Sequence, residues 1–230
     1  MVELSISLPF FLGLTVGGVE IANYASIIMQ LDQISLHTAD AAARIGTRTG
    51  YGDRTISEAL IKDVFAGPMR EGARIDLGGT HPFVNPRTGV LATRGNGLII
   101  LSSFEEVGNF SAARPRYRIR WQRCAGDSTN YRSNYGTPAN LRNALGIGPQ
   151  NRQVTPPLDG AIMFVEVQYY FRPLIVNGFT RLTDHTIRQV ASMVVREKRD
   201  LEGPEGGEGI YNPEQLPESE KALCLWDAND

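Results

Sequence analysis

Leu4 to Val19 contains no charged residue, and Leu, Ile, Phe and Val dominate it. A run of this length falls just short of the roughly 20 residues a helix needs to cross a bilayer. Ile21, Ala22, Tyr24, Ala25, Ile27 and Ile28 extend it, so residues 4 to 24 are expected to form one membrane-spanning helix. The helical period then continues, with Ile27, Ile28, Leu31, Ile34, Thr38, Ala41, Ala42 and Ile45 recurring three or four apart and Asp32, Gln33, Asp40 and Arg44 on the other face. Gly46 is well placed to end it. The pattern therefore predicts one helix from about residue 4 to 45, near 60 Å long at 1.5 Å per residue. Its first half would lie in lipid and its second half against a soluble domain. Pro9 removes one helix hydrogen bond and is expected to kink it. Gly13 and Gly17 have the small-xxx-small spacing that lets membrane helices approach closely, although glycine is also simply common in such helices.

Beyond the helix the period changes. Thr55-x-x-Glu58 reads as a capping box, with Ile56, Leu60, Ile61, Val64 and Phe65 following on one face, which predicts a short amphipathic helix stopped by Gly67-Pro68. Ala73 to Leu77 is a candidate short strand, and Gly78 to Arg94 reads as loop. Gly97 to Phe104, Arg114 to Arg123, Ala161 to Phe171 and Val190 to Arg196 are expected strands. A short helix is expected over Pro138 to Leu145. In the strand at 161–171 the odd positions are all apolar and should face the core. Arg114 to Arg123 alternates sharply, placing Arg114, Arg116, Arg118 and Arg120 on one face and Tyr117, Ile119 and Trp121 on the other. That basic stripe fits anionic lipid or an acidic partner. It equally fits a half-buried strand whose basic face is paired by Glu166 and Gln168 on a neighbour, and this second reading is preferred. The sum is an α+β chain: residues 1–46 as the membrane-spanning and extended helix, and residues 47–230 as a soluble domain with an antiparallel sheet and a C-terminal tail.

Composition narrows the function. The chain has 230 residues and a net charge of −2, which gives no electrostatic case for nucleic acid. Its three histidines, His37, His81 and His185, are dispersed, and Asp184-His185 reads as a pair of surface polar residues. No Cys-x-x-Cys or clustered metal-ligand spacing is present, and no Gly-rich phosphate loop follows a strand. No catalytic constellation, metal site or cofactor is expected, and the chain reads as a non-enzyme.

The opening words Val2-Glu3-Leu4-Ser5-Ile6-Ser7-Leu8-Pro9-Phe10-Phe11-Leu12-Gly13 resemble the N-terminal segment of TadE/TadG-like pseudopilins of the Flp (tight adherence, type IVc) pilus. Glu3, Leu8-Pro9, Gly13, Gly17, Gly18, Glu20 and Tyr24 carry the likeness. Trp121-Gln122-Arg123-Cys124 and Tyr169-Tyr170-Phe171-Arg172-Pro173-Leu174 repeat it more weakly downstream. The resemblance implies a pilin-like fold, a long helix packed on an antiparallel sheet, and a structural role as a minor pseudopilin in pilus biogenesis and adherence. It implies other pilins, the inner-membrane Tad assembly platform and a prepilin peptidase as partners. It assigns the acid that serves processing or subunit insertion to Glu3, whose carboxylate in lipid would need a cation such as a neighbour's N-terminal amine. It also implies a prepilin-type cut just upstream of Met1, so a Lys/Arg-rich leader is expected before the sequence given; the alternative is insertion unprocessed from Met1.

A cleaved signal peptide fits less well, because neither a basic n-region nor a small-residue cleavage site is visible. The expected location is the inner membrane, single pass, with the C-terminal domain in the periplasm. In that oxidising setting the isolated pair Cys124 and Cys224 is expected to form a disulfide that ties down the tail Asn212 to Asp230. Two rival readings stay open: a periplasmic enzyme or binding module on an uncleaved anchor, and a minor pseudopilin of type II secretion.

Overall fold

The computed structural model describes residues 2–48, 52–85, 88–107, 115–126, 131–141, 144–158, 160–174, 183–204 and 209–224, with side chains from residue 7 onward. Helix α1 runs from Val2–Arg44 and continues through Pro9. Helix α2 covers Glu58–Gly72. A hairpin follows, β1 at Thr80–Val84 and β2 at Leu91–Gly95. Four longer strands, β3 (Gly97–Glu106), β4 (Tyr117–Gly126), β5 (Ala161–Phe171) and β6 (His185–Val194), make an antiparallel sheet in the order β4-β3-β5-β6.

The sheet is covered on both faces. Ile99 and Leu101 of β3, Met163, Val165, Val167 and Phe171 of β5, and Trp121 of β4 pack against Leu31, Ile34, Ala39 and Ala42 of α1 and Ile61, Val64 and Phe65 of α2. This is the face that the odd positions of 161–171 were expected to present. The other face also buries apolar side chains. Phe104, Tyr117, Ile119 and Phe164 lie under Tyr135, Leu141, Ala144, Ile147 and Val154, so the irregular chain between β4 and β5 forms a third layer. Both faces of β5 are therefore dry, which explains its nearly continuous run of apolar residues.

Several sequence expectations are corrected. Helix α2 is capped by Ser57, whose Oγ accepts from the Leu60 N–H at 3.4 Å. It also runs through Gly67-Pro68 to Gly72, because Pro68 is buried on the same face as Val64 and Phe65 and this packing outweighs the one missing hydrogen bond. Ala73–Ile75 is a turn of 3-10 helix rather than a strand, and it swings Leu77 into the core. Leu77 Cδ1 would lie 2.3 Å from a Cβ at Gly97, so β3 starts on a residue without a side chain. The stretch Gly78 to Arg94, read as loop, contains β1 and most of β2, with Pro82 in the hairpin. Pro138 to Leu145 makes no helix among its described residues; Ala144 instead pairs antiparallel with Tyr117. The last strand begins earlier than expected, at His185.

Strand β4 departs most informatively. Its register against β3 slips between the pairs Ser103↔Trp121 and Phe104↔Ile119, leaving Arg120 as an extra residue. Such a bulge reverses which residues face which side. Tyr117 and Ile119 accordingly point to the irregular layer, while Trp121 points to the helices. The outer edge of β4 is filled by the chain itself: Tyr117 N–H donates to Ala144 O, Ile119 N–H to Leu141 O and Cys124 N–H to Ala222 O.

Candidate functional site

Helix α1 divides in two by its surroundings. Leu8, Phe10, Phe11, Leu12, Leu14 and Val19 are exposed, by 54% at the least and 68% at the most. Thr15 Oγ1 donates to Phe11 O one turn back, which satisfies the hydroxyl within the helix. By length and composition α1 is apolar enough to cross a membrane, a test that a signal sequence near an N-terminus also meets. Gly13 and Gly17 lie in this free half; Glu3 belongs to the same helix, and its side chain lies outside the described residues.

The first buried residue along α1, among the described side chains, is Glu20. Glu20 is fully buried, and its Oε1 accepts the Leu174 N–H at 3.2 Å. The chain leaving β5 is thereby fastened to α1. One turn on, the Tyr24 ring meets Phe171 edge-on at 5.0 Å and His185 at 5.6 Å. From Val2 to Val19 the helix is about 27 Å long, close to the roughly 30 Å hydrocarbon thickness of a bilayer. The exposed stretch before the domain's first contacts is therefore at least close to one membrane thickness long.

The segment Trp121 to Cys124 fixes the soluble part. Trp121 sits in the helix-side core. Gln122 Nε2 donates to Ser102 Oγ and to Gly136 O, both at 2.9 Å, which binds the irregular layer. Arg123 Nε donates to Glu58 Oε2 at 3.1 Å and to Oε1 at 3.2 Å, binding α2. Cys124 is joined to Cys224 with Cα atoms 4.9 Å apart, which binds the tail. The disulfide was expected from the sequence; the roles of Trp121, Gln122 and Arg123 were not, because Glu58 read as a capping carboxylate and the partners lie far off in the chain.

The basic stripe resolves into pairs. Arg118 lies 2.9 Å and Arg120 3.2 Å from Glu105 Oε1. Burial pushes the Glu105 carboxyl up, and Arg120 and Arg118 pull it back. The partner is Glu105, rather than Glu166 and Gln168, because β3 separates β4 from β5. Arg116 precedes β4 half-buried, and Arg114 lies outside the described residues. Glu166 faces the irregular layer, where it accepts from Ser133 Oγ and, at 3.0 Å, from Asn134 N–H. Gln168 Nε2 donates to Arg132 O at 2.7 Å. Burial, opposed by these bonds and by Arg188, raises the Glu166 carboxyl above its ordinary range.

The histidines stay apart. His37 meets Glu71 at 3.0 Å, and His81 stacks on Tyr170 at 4.0 Å while bonding Asn96. Asp184 accepts from Tyr170 Oη at 2.8 Å, and His185 Nδ1 donates to Thr183 O, so these sequence neighbours serve different partners. Among the described residues no group of three or more His, Cys, Asp or Glu could hold a metal ion. Comparisons with protein-family models, curated proteins and solved structures gave no significant match.

Proposed function

We propose that this chain is a minor pseudopilin of the TadE/TadG-like kind, an assembly subunit of a Flp-type pilus. The observation that carries the reading is the division of α1: one apolar half free over about one bilayer thickness, the other half packed on an antiparallel sheet. A subunit built this way waits in the inner membrane by its free half and presents its sheet domain to the periplasm. The Cys124–Cys224 disulfide suits that oxidising side. In assembly the same apolar surface would exchange lipid for the helices of other pilins, with Gly13 and Gly17 allowing close approach and Glu3 pairing with a neighbour's amine. The inner-membrane assembly platform and a prepilin peptidase complete the expected partners.

Deleting the gene tests this. Electron microscopy of the deletion strain is expected to show surface pili lost, with adherence lowered and both restored by the intact gene. Unchanged piliation would overturn the proposal.

A further inference from the structure

One end of the four-stranded sheet lies nearest the free half of α1, the end at which Leu174 leaves β5 and reaches Glu20. Strand β3 starts at this end, since Gly97 pairs with Tyr169. The β1–β2 hairpin is rooted there too. Tyr170 N–H donates to Asn96 O and Asn96 N–H to Gly79 O, both at 2.8 Å. Side chains lock the root: His81 stacks on Tyr170 with ring centroids 4.0 Å apart and meets Asn96 Oδ1 at 2.9 Å, and Asn96 Nδ2 donates to Asp76 Oδ2 at 2.8 Å.

Beyond its root the hairpin stands off the body. Strands β1 and β2 pack on each other, and none of their described side chains belongs to a buried apolar cluster. The two faces differ. On one, Arg94 covers the Phe83 ring at 3.4 Å from its centroid. On the other, Val84 and Leu91 are partners across the strands and are 60% and 69% exposed, with Pro82 and Thr93 as the next pair. This second face carries no charge.

A two-stranded hairpin is marginally stable in water unless its apolar face is covered, and contiguous exposed apolar side chains mark a contact surface. Position says what the contact is. Tyr24 of α1 packs on Phe171, the residue after Tyr170 at the root. From Tyr24 back to Glu20 is about 6 Å along the helix, whereas five residues of strand span about 17 Å. The hairpin is therefore long enough to reach past Glu20 to the level of the exposed apolar stretch. Leu174, fastened to Glu20, is itself largely exposed.

We propose that the uncharged face of the β1–β2 hairpin, together with Leu174, rests in the interfacial region of the bilayer that α1 spans and holds the domain to the membrane at a second point. The inference rests on the reading of α1 as an anchor. The interface suits a hairpin, because its strand edges keep water and headgroups as hydrogen-bond partners, which hydrocarbon would deny them.

The test uses the full chain in phosphatidylcholine vesicles, with tryptophan placed at Leu91 or at Leu158, an exposed leucine shortly before β5 at the opposite end of the sheet. Both positions are on the surface, so neither change disturbs the core. The emission added by Leu91→Trp is expected to shift to the blue and to be lost when the acyl chains are brominated. Aqueous iodide should quench it less than that of Leu158→Trp, which brominated lipid should leave unchanged. Quenching of Leu91→Trp by iodide alone, or shielding from both quenchers as in contact with a second copy, would overturn the proposal while the chain still sediments with the vesicles and the anchor stands. A chain that does not associate with vesicles would overturn the anchor reading and this inference with it.

Discussion

Arg123 and Glu58 stand 65 residues apart in sequence and meet as a buried bidentate pair, with contacts of 3.1 and 3.2 Å from Nε. Arg123 is 6% exposed and Glu58 3%. The pair fixes how the first turn of α2 sits against β4. Both groups are nearly shut off from water, and Arg123 Nη1 additionally donates to Gln122 O at 2.9 Å.

Replacing Arg123 by Ala strands the Glu58 carboxylate, and the expected loss is about 3–5 kcal/mol in denaturant unfolding. An apolar double replacement, Arg123→Met with Glu58→Leu, should recover most of it, since no buried charge is left alone. A double variant no more stable than Arg123→Ala would argue against the pair as the cause.

Glu166 makes stability fall with rising pH. Its carboxyl lies above the ordinary 4.5 because it is buried, although Ser133, Asn134 and Arg188 favour the ionised form. The folded chain therefore keeps a proton that the unfolded chain gives up. Stability contributed by this group is present below about 4.5 and is lost as pH rises through the higher folded value. Glu166→Gln has no proton to lose, so it should flatten that decline and narrow the gap in stability between mildly acidic and neutral solution. Urea midpoints of both proteins across that interval decide it; parallel curves would count against the assignment.

Reduction of Cys124–Cys224 reopens a loop of 100 residues. In the chain-entropy picture this costs up to about 4–5 kcal/mol. Cys124→Ser with Cys224→Ser is expected to lower the melting temperature and to expose residues 209–224 to protease before the sheet is cut. Equal protease resistance in the two proteins would show that packing alone holds the tail.

The free half of α1 is testable by charge. Lysine at Leu12 and Leu14 together should release the protein from the membrane fraction, because each costs roughly 2.5–3.5 kcal/mol at a bilayer centre on insertion scales. The same change at Leu36, which is exposed on the packed half of the helix, should leave membrane retention unchanged. Retention of the double variant would deny the anchor.

The long helix was legible because its period persists across the switch from all-apolar to amphipathic. Strands 97–104 and 161–171 were legible because turn residues bound a dense apolar run. Four features were not. The α2 terminus depends on where Pro68 is buried, which local propensity does not see. The β1–β2 hairpin hides in a Gly- and Pro-rich stretch whose pairing, such as His81↔Arg94, is set by two short strands rather than by either alone. The apolar partner face, Tyr117, Ile119 and Trp121, was misread because one bulged residue, Arg120, sends Trp121 to the opposite side, and a two-residue period carries no mark of such a slip. Glu20 drew notice only as one of the residues that carry the family resemblance; its tie to Leu174 spans 154 residues and has no local signature.

The filled edge of β4 limits how copies of this chain can join. A strand offered by another molecule finds Tyr117, Ile119 and Cys124 already engaged by Ala144, Leu141 and Ala222. Edge-to-edge addition at that side is terminated, and the disulfide makes part of the termination covalent. The other end of the four-stranded sheet is β6. A longer polymer therefore cannot grow by adding strands on the β4 side, and its subunits have to meet through other surfaces, the exposed apolar half of α1 among them.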